Sequence, residues 1–125
     1  GVQGVVKIVS SWPDSLKGAV VVVFDVALDL DRLNDSDYVV IDHFITFSDP
    51  IQPGLDQSEY FIQLQPGGYL IMTIGLLVKP AQLLADPDMF QQIQKYIVLP
   101  ENAMPRGIVI QKGQINYQDA WSVQF

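Results

Sequence analysis

Short apolar runs with the spacing of β-strands, separated by turn-forming residues, recur along the chain. In Glu59–Leu64, apolar residues of one parity alternate with polar ones, which is typical of a half-buried strand. Ala19–Phe24 is apolar at every position, as in a strand covered on both faces. The pattern therefore predicts an all-β sandwich of about seven strands, forming a single domain over residues 1–125.

The other predicted strands are bounded by proline, glycine, asparagine or aspartate, and they are Val5–Ser10, Val39–Phe47, Tyr69–Val78, Gly107–Gln111 and Trp121–Phe125. The turn at 65–68 separates the strand that ends at Leu64 from the strand that begins at Tyr69. Proline and glycine supply the backbone angles of a tight reversal. We therefore expect these two strands to form a hairpin.

One segment has helical spacing instead. Asp86 suits the N-cap position and Pro87 the first helical position, and apolar residues follow at helical intervals (Met89, Phe90, Ile93, Tyr96 and Ile97). This predicts one short helix over about 86–97, in a crossover between strands. Its apolar face needs a surface to cover, and the strand over 69–78 is the nearest in sequence.

Composition excludes several classes of function. The chain has 125 residues, with 14 acidic and 7 basic side chains and a net charge of -7, which argues against nucleic acid or an anionic membrane surface as the partner. It has no cysteine and one histidine, His43, so disulfides, thiol catalysis and zinc–cysteine sites are excluded. The longest uncharged apolar run, Tyr69–Val78, is too short to span a bilayer. We expect no cofactor.

Three segments carry a resemblance to a known family: Gly4–Ile8 followed by Trp12 and Pro13, Tyr60–Tyr69 with its Pro-Gly-Gly-Tyr corner, and Ile108–Gly113 followed by Trp121–Phe125. In these segments the chain resembles the transthyretin-like, or carboxypeptidase regulatory-like (prealbumin-type), β-sandwich domains of secreted bacterial proteins and lipoproteins. The resemblance implies an Ig-like Greek-key sandwich. It also implies export to the periplasm or the cell surface.

The structural corner of that resemblance consists of Pro66, Gly67, Gly68 and Tyr69. We expect the Tyr69 ring to pack inward while its hydroxyl reaches a hydrogen-bond partner. The fold does not determine the function. One enzymatic branch, the hydroxyisourate hydrolases, resembles transthyretin and uses several histidines, whereas this chain has only His43.

Asp42, His43 and Ser48 are the residues that suggest a hydrolase. Neighbours in a strand point to opposite faces, so Asp42 and His43 are not expected to pair directly. His43 is expected at the rim of the core, on the same face as Ile41 and Ile45. No glycine-flanked nucleophilic serine accompanies them, and we therefore expect a protein that is not an enzyme.

Five aspartates lie between Asp25 and Asp37, and four of them are weak candidates for calcium ligands: Asp29, Asp31, Asp35 and Asp37. Calcium takes six to eight oxygen ligands. The spacing, however, lacks the glycine and glutamate of an EF-hand loop. The alternative is a solvated acidic loop that keeps strand edges from pairing with other chains.

Trp12 precedes a proline in a loop and is the aromatic residue that we expect to be exposed for contact with a ligand. The sequence as a whole favours a non-enzymatic, exported binding or structural module. Its partner is an unknown protein or carbohydrate, and it is a monomer or a weak homodimer. The alternative function is a calcium-dependent carbohydrate binder or small hydrolase that uses the acidic 25–37 loop.

Overall fold

The computed structural model describes residues 1–9, 11–102 and 104–125, and two β-sheets packed face to face form its centre. The described residues contain nine strands and two short α-helices, which confirms the all-β prediction. The strands are β1 (Val2–Ile8), β2 (Gly18–Phe24), β3 (Phe44–Phe47), β4 (Gln57–Ile62), β5 (Gly67–Leu76), β6 (Ile97–Val98), β7 (Arg106–Ile110), β8 (Asn116–Tyr117) and β9 (Trp121–Val123).

The first sheet is built around β1. One edge of β1 pairs with β4 in antiparallel orientation, from Val2 opposite Ile62 to Lys7 opposite Gln57. The other edge pairs in parallel orientation with β8 and then with β9. Two short strands from the end of the chain thus complete the sheet that its first strand begins.

The second sheet has the order β3-β2-β5, and both β6 and β7 pair with the remaining edge of β5. Strands β2 and β5 are antiparallel along their whole length, from Gly18 opposite Leu76 to Phe24 opposite Leu70. Alternate residues of β2 enter two different cores. Val21 and Val23 face the first sheet, while Val20 and Val22 face the opposite side. Because both faces of β2 are buried, the strand is apolar at every position from Ala19 to Phe24.

The predicted hairpin between the strands around 59–64 and 69–78 is wrong, because β4 belongs to the first sheet and β5 to the second. The segment between Ile62 and Gly67 crosses from one sheet to the other. The two strands belong to different sheets because their outer faces have different surroundings. Strand β4 has exposed residues on its outer face, whereas β5 is buried on both faces from Ile71 onward and needs a covering layer on each side.

Tyr69 lies immediately after this crossing. Its ring is half-buried against the core between the sheets, and its hydroxyl donates a hydrogen bond to the main-chain carbonyl of Gln65 at 2.8 Å. The corner residues Pro66, Gly67 and Gly68 are exposed. The crossing is therefore tied by a tyrosine contact of the kind that the sequence predicts.

A layer of short helices covers the outer face of the second sheet. It consists of α1 (Pro80–Ala85), α2 (Pro87–Gln91) and a 3₁₀ turn at Ile93–Lys95. Asp86 caps α2, because its Oδ1 accepts hydrogen bonds from the main-chain N–H groups of Asp88 and Met89 at 3.0 and 3.2 Å.

The prediction that this segment covers β5 is confirmed, since Leu83 and Ile93 are buried with Met72 and Ile74 in one apolar cluster. The prediction of one continuous helix over 86–97 is wrong. The backbone of Gln92, with φ −107° and ψ 29°, departs from α-helical geometry and ends α2.

The bounds of all seven predicted strands differ from the structure, and in two of them the difference is largest. The strand predicted over Val39–Phe47 is a 3₁₀ turn at Val40–His43 followed by the shorter β3. The strand predicted over Val5–Ser10 begins earlier, at Val2, and ends at Ile8. Ser10, its predicted last residue, lies outside the described residues.

Candidate functional site

Two exposed aromatic rings flank Gln3 on the outer face of the first sheet. Gln3 is in register with Phe61 of β4 on one side and with Tyr117 of β8 on the other. Phe61 is 51% exposed and Tyr117 is 71% exposed. Adjacent strands are about 4.8 Å apart, so the two aromatic Cα atoms are separated by roughly 10 Å. We call Phe61, Gln3 and Tyr117 the aromatic row.

Strand geometry explains why Phe61 points outward. Tyr60 and Ile62 are buried in the core between the sheets, and side chains alternate between the faces of a strand. Phe61 also lies close to Gly1, where an added Cβ would come within 3.0 Å of its ring. The ring therefore packs on the backbone of the neighbouring strand and keeps half of its surface exposed.

Tyr117 is presented by a strand of only two residues that hydrogen bonds hold on both sides. The main-chain N–H groups of Asn116 and Gln118 donate to the carbonyls of Gly1 and Gln3, each at 2.8 Å. The Asn116 side chain donates to the Val109 carbonyl of the second sheet at 3.1 Å, and its Oδ1 accepts from the Gln118 amide at 2.7 Å. These contacts leave Tyr117 as the outward residue.

A cleft of about 280 Å³ lies beside Phe61, between the end of β4 and the loop over 111–115. Phe61 is part of its wall, together with the glutamines Gln63, Gln111 and Gln114. Within the described part of the chain, the side-chain amides of these three glutamines form no hydrogen bond, and neither does that of Gln3. We call this concavity the amide cleft.

Charge is sparse at this end of the first sheet. Of the described side chains that line the amide cleft, Lys112 alone is charged, and the ammonium of Gly1, which donates to the Gln114 carbonyl at 3.2 Å, adds a second positive charge. Charged side chains become frequent only toward the other end of the outer face, where Glu59 of β4 is in register with Val5, and Lys7 with Gln57. The site therefore offers two aromatic rings, apolar contacts and unpartnered amides.

Comparisons of the chain with protein-family models, with curated proteins and with solved structures found no match. The function of the chain is therefore inferred from its own surfaces. One further structural finding bears on partners: none of the helices in the described ranges is long and apolar enough to cross a bilayer.

The residues that suggested a hydrolase are not brought together. Ser48 is buried, its hydroxyl oxygen accepts from the main-chain N–H of Val21 at 3.0 Å, and its hydroxyl donates to the carbonyl of Asp49 at 3.0 Å. That hydroxyl holds the edge of β2 against the segment after β3. Ser48 therefore has a structural role, and its oxygen is not paired with His43.

His43 contacts a different acid from the one beside it in sequence. Its Nδ1 lies 3.0 Å from Oδ1 of Asp25, and its ring stacks on Tyr38 with the centroids 5.6 Å apart. The expected placement on a strand face with Ile41 and Ile45 is wrong, because Val40–His43 forms a 3₁₀ turn. The pair joins this turn to the end of β2.

Three of the four candidate calcium ligands, Asp29, Asp35 and Asp37, bond to other residues of the 25–37 loop. Asp29 accepts a hydrogen bond from the main-chain N–H of Asp31 at 3.1 Å, and Arg32 lies 3.2 Å from Asp35 and 3.5 Å from Asp37. The hydrogen bond with Asp35 raises the pKa of the Arg32 guanidinium. Across residues 1–9, 11–102 and 104–125, no three acidic or histidine side chains are grouped to hold a metal ion. The four calcium candidates are therefore not gathered into one site.

Trp12 is half-buried, and the expectation that it is exposed is wrong. Its indole N–H donates to the carbonyl of Leu55 at 2.8 Å, and its ring stacks on Phe125 at 6.3 Å between centroids. Both rings pack against the core between the sheets. Trp12 thus closes one end of the core instead of forming a contact surface.

A second cleft, of about 260 Å³, lies between the segment over 38–41 and the segment over 91–95. Three polar side chains on its wall, those of Gln92, Gln94 and Lys95, are already bonded to the chain. The amide of Gln94 donates to the carbonyls of Leu33 and Asp35, and the ammonium of Lys95 donates to Gln92. The aromatic row and the amide cleft are the better candidate, because they combine two exposed aromatic rings with four unpartnered amides, whereas among the described glutamines of the second cleft only Gln91 has an unpartnered amide.

Proposed function

We propose that the chain is a non-enzymatic, exported binding module that holds a neutral carbohydrate chain on the aromatic row. The observation that carries the proposal is the pair of exposed rings, Phe61 and Tyr117, on either side of the unpartnered Gln3 amide. The apolar C–H face of a sugar ring packs on an aromatic face. Its hydroxyls pair with amide groups, which both donate and accept hydrogen bonds.

The low charge around the row favours a neutral ligand. A cationic ligand would lose hydration without gaining an opposite charge, and an anionic ligand would meet one exposed side-chain charge, the ammonium of Lys112, among the described side chains of the amide cleft. A neutral sugar exchanges its water contacts for amide contacts instead. The separation of roughly 10 Å between the aromatic Cα atoms is about the length of a disaccharide.

Two further parts of the proposal have separate support. Export to the periplasm or cell surface is supported by the resemblance to transthyretin-like domains. A function without catalysis is supported by the bonding of the two residues that suggested a hydrolase. Ser48 bonds to main-chain groups, and His43 to Asp25.

Affinity gel electrophoresis tests the proposal. The wild-type chain is run through gels that contain cellulose ethers, xylan, glucomannan, starch or dextran, beside the variants Phe61→Ala and Tyr117→Ala. We expect at least one neutral polysaccharide to retard the wild type. Because aromatic residues are frequent energetic centres of binding sites, we expect each variant to bind about tenfold more weakly, or about 1.4 kcal/mol.

Leu84→Ala is the matched control. Leu84 is 58% exposed on α1, which covers the second sheet on the side of the molecule away from the aromatic row. Its variant should be retarded like the wild type. The proposal is overturned if no member of the panel retards the wild type, or if both aromatic variants are retarded as strongly as Leu84→Ala.

A further inference from the structure

We infer that the edge of β4 that faces away from β1 binds an extended basic peptide, which adds a strand to the first sheet. We call it the β4 edge. Among the described residues, β1 is the strand that pairs with β4. A peptide that joins such an edge gains affinity from main-chain hydrogen bonds and specificity from its alternate side chains. The inference goes beyond the proposed function and does not depend on it, since it concerns the edge of the sheet and not its outer face.

The pairing of β1 determines which main-chain groups point to the β4 edge. The N–H of Ile8 donates to the carbonyl of Asp56 at 2.8 Å, whereas the carbonyl of Gln3 accepts from Gln118 on the opposite side of β1. Along a strand, these groups point alternately to its two edges. The even-numbered residues of β4 are therefore bonded to β1. The odd-numbered residues direct their main-chain groups away from it, and they are Gln57, Glu59 and Phe61.

These outward groups have almost no partner within residues 1–9, 11–102 and 104–125. None of the three N–H groups donates a hydrogen bond there, and neither the Gln57 nor the Phe61 carbonyl accepts one. The Glu59 carbonyl accepts only from the hydroxyl of Ser58, at 3.4 Å. Because a carbonyl has two lone pairs, each of the three residues offers both a donor and an acceptor to an added strand.

Charge at the β4 edge favours a basic peptide. Glu59 is exposed and forms no ion pair with the described side chains. The cation that the register places nearest is Lys7, which lies opposite Gln57 and is therefore only a diagonal neighbour of Glu59. A lysine or arginine directly opposite Glu59 would form a closer pair. The net charge of -7 on the whole chain also attracts a cationic partner.

Phe61 adds specificity two positions further along β4. Its ring lies on the same face of the strand as Glu59, and pairs of an aromatic residue with a β-branched or aromatic one stabilise neighbouring strands. The peptide that fits therefore has a basic residue and, two positions away, a β-branched or aromatic one. A second copy of the chain fits less well, because it brings the same net charge of -7 to the edge.

Fluorescence anisotropy with two labelled nine-residue peptides tests the inference. The lysine peptide alternates threonine and valine around a central lysine, and the glutamate peptide has glutamate in its place. We expect the wild type to bind the lysine peptide about fivefold more tightly than the glutamate peptide. Glu59→Lys should reverse this preference. Because Glu59 is exposed, this variant should fold like the wild type, and a thermal unfolding curve verifies this.

Glu101→Lys is the matched control. Glu101 is the other glutamate of the chain, and it lies in an exposed turn where its N–H donates to the carbonyl of Gln124. This variant changes the net charge by the same amount as Glu59→Lys, but it should keep the preference of the wild type for the lysine peptide.

Methylated peptides test the main-chain hydrogen bonds. In one version of the lysine peptide, the main-chain nitrogens of the lysine and of every second residue are methylated, and in the other version the intervening nitrogens are methylated. Because successive N–H groups of a strand point to opposite edges, one version should bind and the other should not. The inference is overturned if the wild type binds neither labelled peptide, if the two methylated versions bind alike, or if Glu59→Lys binds like Glu101→Lys.

Sedimentation velocity examines the second copy as the occupant. Without peptide, the wild type should sediment as a monomer. A dimer whose dissociation constant changes with Glu59→Lys but not with Glu101→Lys would assign the β4 edge to a second copy and overturn the inference.

Discussion

The hydroxyl of Tyr69 donates a hydrogen bond of 2.8 Å to the main-chain carbonyl of Gln65. Gln65 lies in the segment that crosses from the first sheet to the second, and the Tyr69 ring packs against the core between the sheets. One side chain thus ties the crossing to the core. Because Phe61 and Gln63 precede this crossing directly, the same contact helps to position the candidate site.

Removing this hydroxyl should destabilise the fold measurably. Tyr69→Phe keeps the ring and loses the hydrogen bond, so the free energy of unfolding in urea should fall by about 1 kcal/mol. Tyr69→Ala also loses the ring, and its loss should reach about 3–5 kcal/mol. Tyr117→Phe, at an exposed tyrosine, should change the free energy of unfolding by less than about 0.5 kcal/mol. If Tyr69→Phe and Tyr117→Phe change the free energy of unfolding equally, the hydrogen bond from Tyr69 to Gln65 does not stabilise the crossing.

Gly4 is required by the close approach of a tyrosine. A Cβ at Gly4 would lie 2.6 Å from the hydroxyl oxygen of Tyr60 and 2.8 Å from its Cζ. Gly4→Ala should therefore lower the free energy of unfolding by about 1–3 kcal/mol. Gly107→Ala is the control, since a Cβ at Gly107 meets nothing within 4 Å. Chemical denaturation that gives both variants the same stability would contradict the contact.

Thr73 has a buried hydroxyl without a hydrogen-bond partner among the described residues. It is 1% exposed and lies opposite Val21 in the core between the sheets. Thr73→Val replaces the hydroxyl by a methyl group of similar size. Because an unpaired buried polar group costs about 1–3 kcal/mol, the melting temperature and the free energy of unfolding should rise. A fall in both would show that the hydroxyl is paired.

Tyr60 should make stability depend on pH in the alkaline range. Burial raises the pKa of its phenol above the ordinary value of 10.0, and the charge of Arg106 offsets part of this rise. Above that value the unfolded chain releases a proton that the folded chain still holds, so stability falls as the pH increases. Urea unfolding between about pH 9 and 11 should therefore show a steeper fall for the wild type than for Tyr60→Phe. Parallel curves would contradict the shifted pKa.

The sequence predicts which faces of a strand are buried better than it predicts which strands pair with each other. The continuous apolar run of β2 indicates a strand buried on both sides, and the alternation in β4 indicates one exposed face. Both are observed. Alternation does not determine which strands pair, however. The tight turn before β5 therefore suggested a hairpin, whereas the chain changes sheets there to bury both faces of β5.

Of the two aromatic residues of the candidate site, the sequence indicates only one as exposed. In β4, Phe61 is an aromatic residue at a position where the alternation predicts a polar, outward-facing side chain. The sequence alone therefore identifies it as an exposed ring. Tyr117 belongs to a two-residue strand that pairs in parallel with β1, from the opposite end of the chain. No local pattern marks such a strand, because long-range hydrogen bonds hold it. The pair of His43 and Asp25, 18 residues apart, was missed for the same reason.

An NMR titration measures directly whether the outer face of the first sheet holds a neutral glycan. The amide signals of the wild type are followed while a neutral hexasaccharide of the cello-, xylo- or malto- series is added. The shifts should concentrate at Gln3, Phe61 and Tyr117 and extend to the loop over 111–115. Shifts confined to the cleft between 38–41 and 91–95, or no shifts with any of the three series, would contradict a carbohydrate site on the aromatic row.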